Sequence, residues 1–240
     1  MMTNELNSAS ISDVVQRVTD SIVKQCALCG RSPSDVRLMA VTKTVEAARV
    51  NEAIAAGVTL LGENKAQELC AKYDDYEKDG AEIHFIGHLQ SNKVRQIVDK
   101  VTMIQSLDSI SLAAEIQRQC VKLDRKMDCL IEVNIGNELT KSGVAPEMLP
   151  QFLAQLGDFD RLSVRGIMAI PPVCQNDLEK EHYFSSLHKL FIDIEEKKID
   201  NISMHFLSMG MSDDYLLAIK HGSNLVRLGS VLFGRRNYAR

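Results

Sequence analysis

The chain has 240 residues, of which 45% are apolar, 25% charged and 5% aromatic, with no tryptophan. That apolar share excludes a disordered or collagen-like chain. The net charge of −4, from 28 basic against 32 acidic residues, lacks the positive footprint that carries most non-specific nucleic-acid binding. Neither a secretory apolar run at the start nor a stretch of about 18 apolar residues is visible in the sequence. Six cysteines (Cys26, Cys29, Cys70, Cys120, Cys129 and Cys174) are therefore expected to be reduced thiols, and the cytoplasm is the expected compartment.

In chain order, Ile11, Val14, Val15, Val18, Ile22 and Val23 recur at helical spacing and predict a leading helix over about 10–30, stopped by Gly30. Strand-like apolar runs then alternate with helical patterns. Strands are expected at 36–41, 59–61, 82–86, 102–105, 127–133, 162–168, 202–207 and 225–228. Helices are expected at 45–56, from about 65, around Val94, and at 112–121, 146–156, 178–197 and 213–221. Alternation of this kind implies parallel pairing through right-handed crossovers. Length alone is compatible with two small domains or one barrel of about 250 residues. The count of eight units after one helix favours a single (β/α)8 TIM barrel with an extra N-terminal helix, over residues 1–240, rather than an open doubly wound sheet.

In such barrels the chemistry lies at the C-terminal ends of the strands. The first strand runs into Lys43, which either forms a Schiff base with a carbonyl compound or snorkels out of the strand end. The second ends in Gly62, Glu63 and Asn64; Glu63 or Asn64 faces the mouth, or Asn64 caps the next helix. His84 and His88 are four apart but flank Gly87 in a strand-like stretch, which disfavours a shared metal site. The polar stretch 134–143 either closes over the mouth or is a solvated loop, and Ile170-Pro171-Pro172 offers apolar wall. Ser208, Gly229 and Ser230 fall after strands seven and eight, where phosphate sites recur in these barrels. Alternation places Arg227 on the same face as Leu225 and Gly229. An inward guanidinium stays charged and needs a partner, either a ligand or an acidic neighbour. Cys26-Ala27-Leu28-Cys29 has no second pair to complete a zinc site. The basic end Arg235-Arg236-Asn237-Tyr238-Ala239-Arg240 is expected to be a solvated tail.

The segments AVTK, GENKAQE, HFIGHLQSNK, VNIGNELTKSG, GIMAIPP, LSMGMSDD and VRLGSVLFG occur in an order that resembles the YggS/PROSC family of pyridoxal phosphate homeostasis proteins. That family's fold is similar to the N-terminal barrel of bacterial alanine racemase. The resemblance covers nearly the whole chain. It implies that Lys43 carries pyridoxal 5'-phosphate as an aldimine, that Ser208, Gly229 and Ser230 hold the phosphate, that Arg227 faces the pyridine nitrogen, and that Asn64 lies beside the ring. Two positions depart from the family pattern: His88 stands where Pro is frequent, and Ser230 where Thr is common. Ser230 keeps a hydroxyl, so phosphate binding is expected to survive.

Two functions follow from the resemblance: a non-catalytic protein that holds the cofactor and regulates its free level, or a racemase-like enzyme. The racemase uses a tyrosine from a second, C-terminal domain. Here about ten residues follow the eighth strand, with Tyr238 the nearest candidate, so the binding protein is the expectation. A cofactor-free lysine aldolase would need Lys43 but no phosphate cradle. The expected partners are the cofactor and, as recipients, pyridoxal-phosphate-dependent apo-enzymes, with a monomer as the expected state.

Overall fold

Each of the eight apolar runs forms a strand, and the strands pair in sequence order until the eighth closes onto the first. The computed structural model describes residues 10–138 and 140–234; the basic end 235–240, Tyr238 included, lies outside them. The strands are β1 (Arg37–Val41), β2 (Leu60–Glu63), β3 (Glu82–Phe85), β4 (Met103–Leu107), β5 (Met127–Glu132), β6 (Leu162–Met168), β7 (Ile202–Ser208) and β8 (Leu225–Leu228). The helices are α1 (Ile11–Leu28), α2 (Ala47–Ala55), α3 (Ala66–Lys72), α4 (Val94–Ile97), α5 (Ile110–Lys122), α6 (Leu149–Leu156), α7 (Asp177–Glu195), α8 (Tyr215–Lys220) and α9 (Ser230–Phe233). All eight pairings are parallel, and β1 and β8 match Met39 to Arg227 and Ala40 to Leu228. That closure makes the architecture a TIM barrel with one leading helix rather than an open sheet.

Alternation along each strand sorts side chains into two layers. Outward residues such as Leu61, Phe85, Ile104 and Ile131 pack under the helices in one continuous cluster. Inward residues form two smaller clusters, Met39, Val41, Leu60, Ile86 and Leu225, and Met103, Leu130 and Met168, with Phe206 against both. The interior also holds four buried polar side chains: His84, Gln105, Ser208 and Arg227. An unpaired buried polar group costs about 1–3 kcal/mol, and each of these four is hydrogen-bonded.

The leading helix begins at a capping box in which the Ser10 hydroxyl accepts from the Asp13 N–H and the Asp13 carboxylate accepts from the Ser10 N–H. Its buried face, Ile11, Val15, Val18, Ile22 and Cys26, packs beside α2, α8 and α9. Ser21 and Tyr215 share a hydroxyl–hydroxyl bond of 2.7 Å, and Arg31 donates to the carbonyls of Ile219 and Ser223, both at 2.8 Å. Cys26 is thus a core residue and Cys29 a helix-end residue. Among the described residues no His, Cys, Asp and Glu side chains are grouped for a metal ion, and no helix is long and apolar enough to cross a membrane.

Candidate functional site

A cavity of about 680 Å³ opens at the C-terminal ends of β1, β2 and β8. Five of the six residues singled out in the sequence line it: Lys43, Asn64, Arg227, Gly229 and Ser230. Val41, Ile86 and Ile170 supply apolar wall, in keeping with the wall expected after the sixth strand.

Lys43 follows β1 on a backbone held from both sides. Thr44 has φ 61°, a left-handed conformation that crowds a β-branched side chain and persists only when the surroundings enforce it. Lys72, closing α3, supplies the restraint by donating from Nζ to the carbonyls of Thr42 and Val45 at 3.1 Å each and to Glu68 at 2.7 Å. Glu68 in turn accepts from the Thr44 N–H. Beneath them the buried Glu63 carboxylate accepts from the hydroxyls of Thr42 at 2.6 Å and Tyr76 at 2.5 Å. Burial and the neighbouring Glu63 push the Tyr76 hydroxyl well above the usual phenol range, so it remains a donor. Of the two candidates at the end of β2, Glu63 therefore faces away from the mouth, to brace the Lys43 loop. Lys72 and Glu68 carry no sequence signal for the site, because only the fold brings α3 against the β1 loop.

Asn64 is not a helix cap: Lys65 holds that position, and the Asn64 Oδ1 is buried with no hydrogen-bond partner. Its backbone is approached closely by the loop after β3. A Cβ on Gly87 would lie 2.1 Å from the Asn64 carbonyl oxygen, which explains glycine at that place.

At the β7–β8 corner, Ser212 rather than Ser208 stands on the cavity wall. The Ser212 Oγ accepts from the backbone N–H groups of Gly229 at 3.3 Å and Val231 at 3.2 Å. Two amides thus converge on one oxygen, the arrangement that a phosphate oxygen seeks. A Cβ on Gly229 would meet Val41 at an ordinary 3.5 Å, so protein packing does not require glycine there. Ser208 lies deeper, fully buried, with its hydroxyl between Gln105 and Arg227. The segment 207–214 was legible as part of the site, but Ser208 belongs to the inward face of β7 and Ser212 to the loop beyond it.

Arg227 points inward from β8 as alternation predicted. Its partners are oxygens: Nη1 donates to the Ser208 carbonyl and hydroxyl at 2.8 Å each, and Nη2 to the Ala169 carbonyl at 2.9 Å. Among the described residues no acidic side chain is in direct contact with it. Burial pulls its pKa down to about 10, opposed by Asp214 and Glu132, so the guanidinium is charged at neutral pH.

The far side of the mouth carries Glu132, at the end of β5, whose carboxyl is pushed up to about 7 by burial and by Asp108, against His88 and Arg227. His88 is 3.3 Å from the Asp108 carboxylate and 3.2 Å from the Ser142 hydroxyl. The stretch 134–143 folds back on its own strand, with Asn134 bonding the backbone of Glu138 and Val144 pairing with Val133. It touches the loop after β3 through Ser142 and is absent from the lining of the cavity among the described residues.

The family of alanine racemase N-terminal domains matches residues 23–237. A pyridoxal phosphate homeostasis protein of Aquifex aeolicus is 39% identical over 224 residues, covering 93% of this chain and 97% of its own. PipY of Synechococcus elongatus, in a structure with pyridoxal phosphate bound, superposes with a TM-score of 0.77 at 33% identity, covering 89% of this chain and all of its own. Alanine racemase of Corynebacterium glutamicum, at 14% identity and a TM-score of 0.69, shares the fold over 95% of this chain and 62% of its own.

Proposed function

Because the chain belongs to the family of pyridoxal phosphate homeostasis proteins, we propose that it binds pyridoxal phosphate in the cavity at the ends of β1 and β8. In this role it buffers the free level of the cofactor and does not turn over a substrate. The observation that carries this reading is the meeting of four complementary groups in one cavity. They are the amine of Lys43, Asn64 with its unpartnered Oδ1, the corner of Ser212, Gly229 and Ser230, where the Gly229 and Val231 N–H groups converge on the Ser212 Oγ, and the guanidinium of Arg227. An aldehyde, a phosphate and a ring nitrogen match the amine, the β7–β8 corner and the guanidinium in turn, and Asn64 lies beside the ring.

In this assignment the Lys43 Nζ holds the cofactor covalently, by condensation of amine with aldehyde and loss of water. Gly229, Ser230 and Ser212 take the phosphate, and Ser208 holds Arg227, which faces the ring nitrogen. Bound pyridoxal phosphate supplies an electron sink, which is strongest when its ring nitrogen is protonated. A charged Arg227 facing that nitrogen disfavours the proton, because two positive charges would meet in a partly dry site. The site is thereby better suited to holding the cofactor than to stabilising a carbanion. Cytoplasmic location, in keeping with six cysteines that are all free thiols, a monomeric state and apo-enzymes as recipients complete the proposal.

Titration with pyridoxal phosphate tests it. Visible absorbance is expected to grow to one equivalent in the wild-type protein and to be absent in Lys43→Ala. Absorbance retained in Lys43→Ala contradicts the site, and racemisation of single-enantiomer alanine at ordinary enzyme turnover contradicts the non-catalytic role.

A further inference from the structure

The four polar side chains inside the barrel form one chain of hydrogen bonds that runs in a single direction. Arg227 can only donate, so Ser208 Oγ accepts from its Nη1 at 2.8 Å. The single Ser208 proton then goes to Gln105 Oε1, at 2.7 Å. With its oxygen so engaged, Gln105 presents its NH2 to His84 Nδ1, at 2.9 Å. Nδ1 must accept, which leaves the imidazole proton on Nε2, 3.4 Å from Glu82 Oε2. The other oxygen of Glu82 accepts from Arg37 at 2.9 Å. Glu82 and Arg37 open β3 and β1, so the chain starts at the cavity and ends on the opposite face of the barrel. An obligate donor stands at one end and an obligate acceptor at the other, and every link between them runs the same way.

We propose that Ser208, Gln105, His84 and Glu82 are positioning residues for Arg227, and that the direction of their hydrogen bonds, set by neutral His84 with its proton on Nε2, fixes where the guanidinium presents its remaining N–H groups to the cavity. The proposal rests on the assignment of Arg227 to the ring nitrogen of pyridoxal phosphate. The charged groups facing His84 are Glu82 on its own strand, Arg37 on β1 and Asp128 on β5; burial outweighs the two carboxylates and holds its pKa below the usual value, in agreement with a neutral ring. A second proton on His84 would turn Nδ1 into a donor. The Gln105 amide would then have to rotate by half a turn, and the Ser208 hydroxyl would receive two donors instead of one. Protonation near the bottom of the barrel would thus be felt at the cavity.

Nitrogen-15 NMR of the full-length, ligand-free protein tests the direction: at neutral pH His84 is expected to be neutral with its proton on Nε2. A proton on Nδ1, or an imidazolium, overturns the proposal. Gln105→Met removes both links at similar side-chain length. It is expected to shift the Arg227 side-chain N–H resonance in the ligand-free protein and to weaken pyridoxal phosphate about tenfold, the scale of one hydrogen bond to a charged group. Ser208→Ala should weaken it similarly and Ser208→Thr restore it. A folded Gln105→Met protein with an unmoved Arg227 resonance, or with unchanged affinity, overturns the positioning role. Lys43→Ala measured in parallel separates the two levels: visible absorbance retained there contradicts the cofactor site itself, and the Arg227 resonance then decides the positioning role alone.

Discussion

At the scale of single residues, the strand end and the loop beyond it assign different work to the same side-chain type. Ser208 and Ser212 are four apart, yet one is the last residue of β7 and fully buried against Arg227, while the other meets the Gly229 and Val231 amides at the cavity. Composition and motif order made the segment readable; which hydroxyl faces the cavity depended on where β7 stops. Ser212→Ala is expected to weaken pyridoxal phosphate about tenfold in an absorbance titration, by removing one bond to a charged phosphate. Thr44, with φ 61°, is held against its own preference. Thr44→Gly is expected to raise the unfolding free energy by about 1 kcal/mol in urea, as relief of strain outweighs the greater freedom of glycine in the unfolded chain.

At the scale of elements, all eight strands were legible because parallel strands covered on both faces read as short apolar runs. Helix starts were less so, since tertiary bonds decide them. The helix expected from 213 begins at Tyr215, because Asp214 turns back to accept from the Met211 N–H at 2.7 Å. The one expected from 146 opens as a 3-10 turn over Pro146–Met148 before α6. The bracing of the Lys43 loop by Lys72 and Glu68 of α3 was not legible, as it joins residues 24 to 30 apart through the fold. The same packing between loops makes Gly87→Ala costly: a Cβ 2.1 Å from the Asn64 carbonyl must push the β2 and β3 ends apart. A loss of about 1–3 kcal/mol, the usual scale for overpacking, is expected in denaturant unfolding, together with weaker cofactor binding because Asn64 moves.

For the whole molecule, two buried groups at opposite ends of the barrel make stability depend on pH in opposite directions. His84 has a folded pKa below its unfolded value of about 6.5, so its contribution is complete above that pH and is lost as the pH falls toward the folded value. Glu132 is raised from an unfolded value of about 4.3 to about 7, so stability is complete below the former and declines as the pH rises through the latter, by up to about 3 kcal/mol. Below neutrality the two groups therefore act in opposite directions: as the pH rises from about 4.3 to about 7 the contribution of Glu132 is lost while that of His84 is gained. In urea unfolding, Glu132→Gln should remove the decline between about pH 4.3 and 7 and leave the loss on acidification that comes from His84. The central claim, that one barrel presents Lys43 to pyridoxal phosphate, is tested most directly by reducing the loaded wild-type protein with borohydride and locating the added mass by peptide mapping. Modification of Lys43 at one equivalent is the expected result; modification of a different lysine, or none, would contradict it.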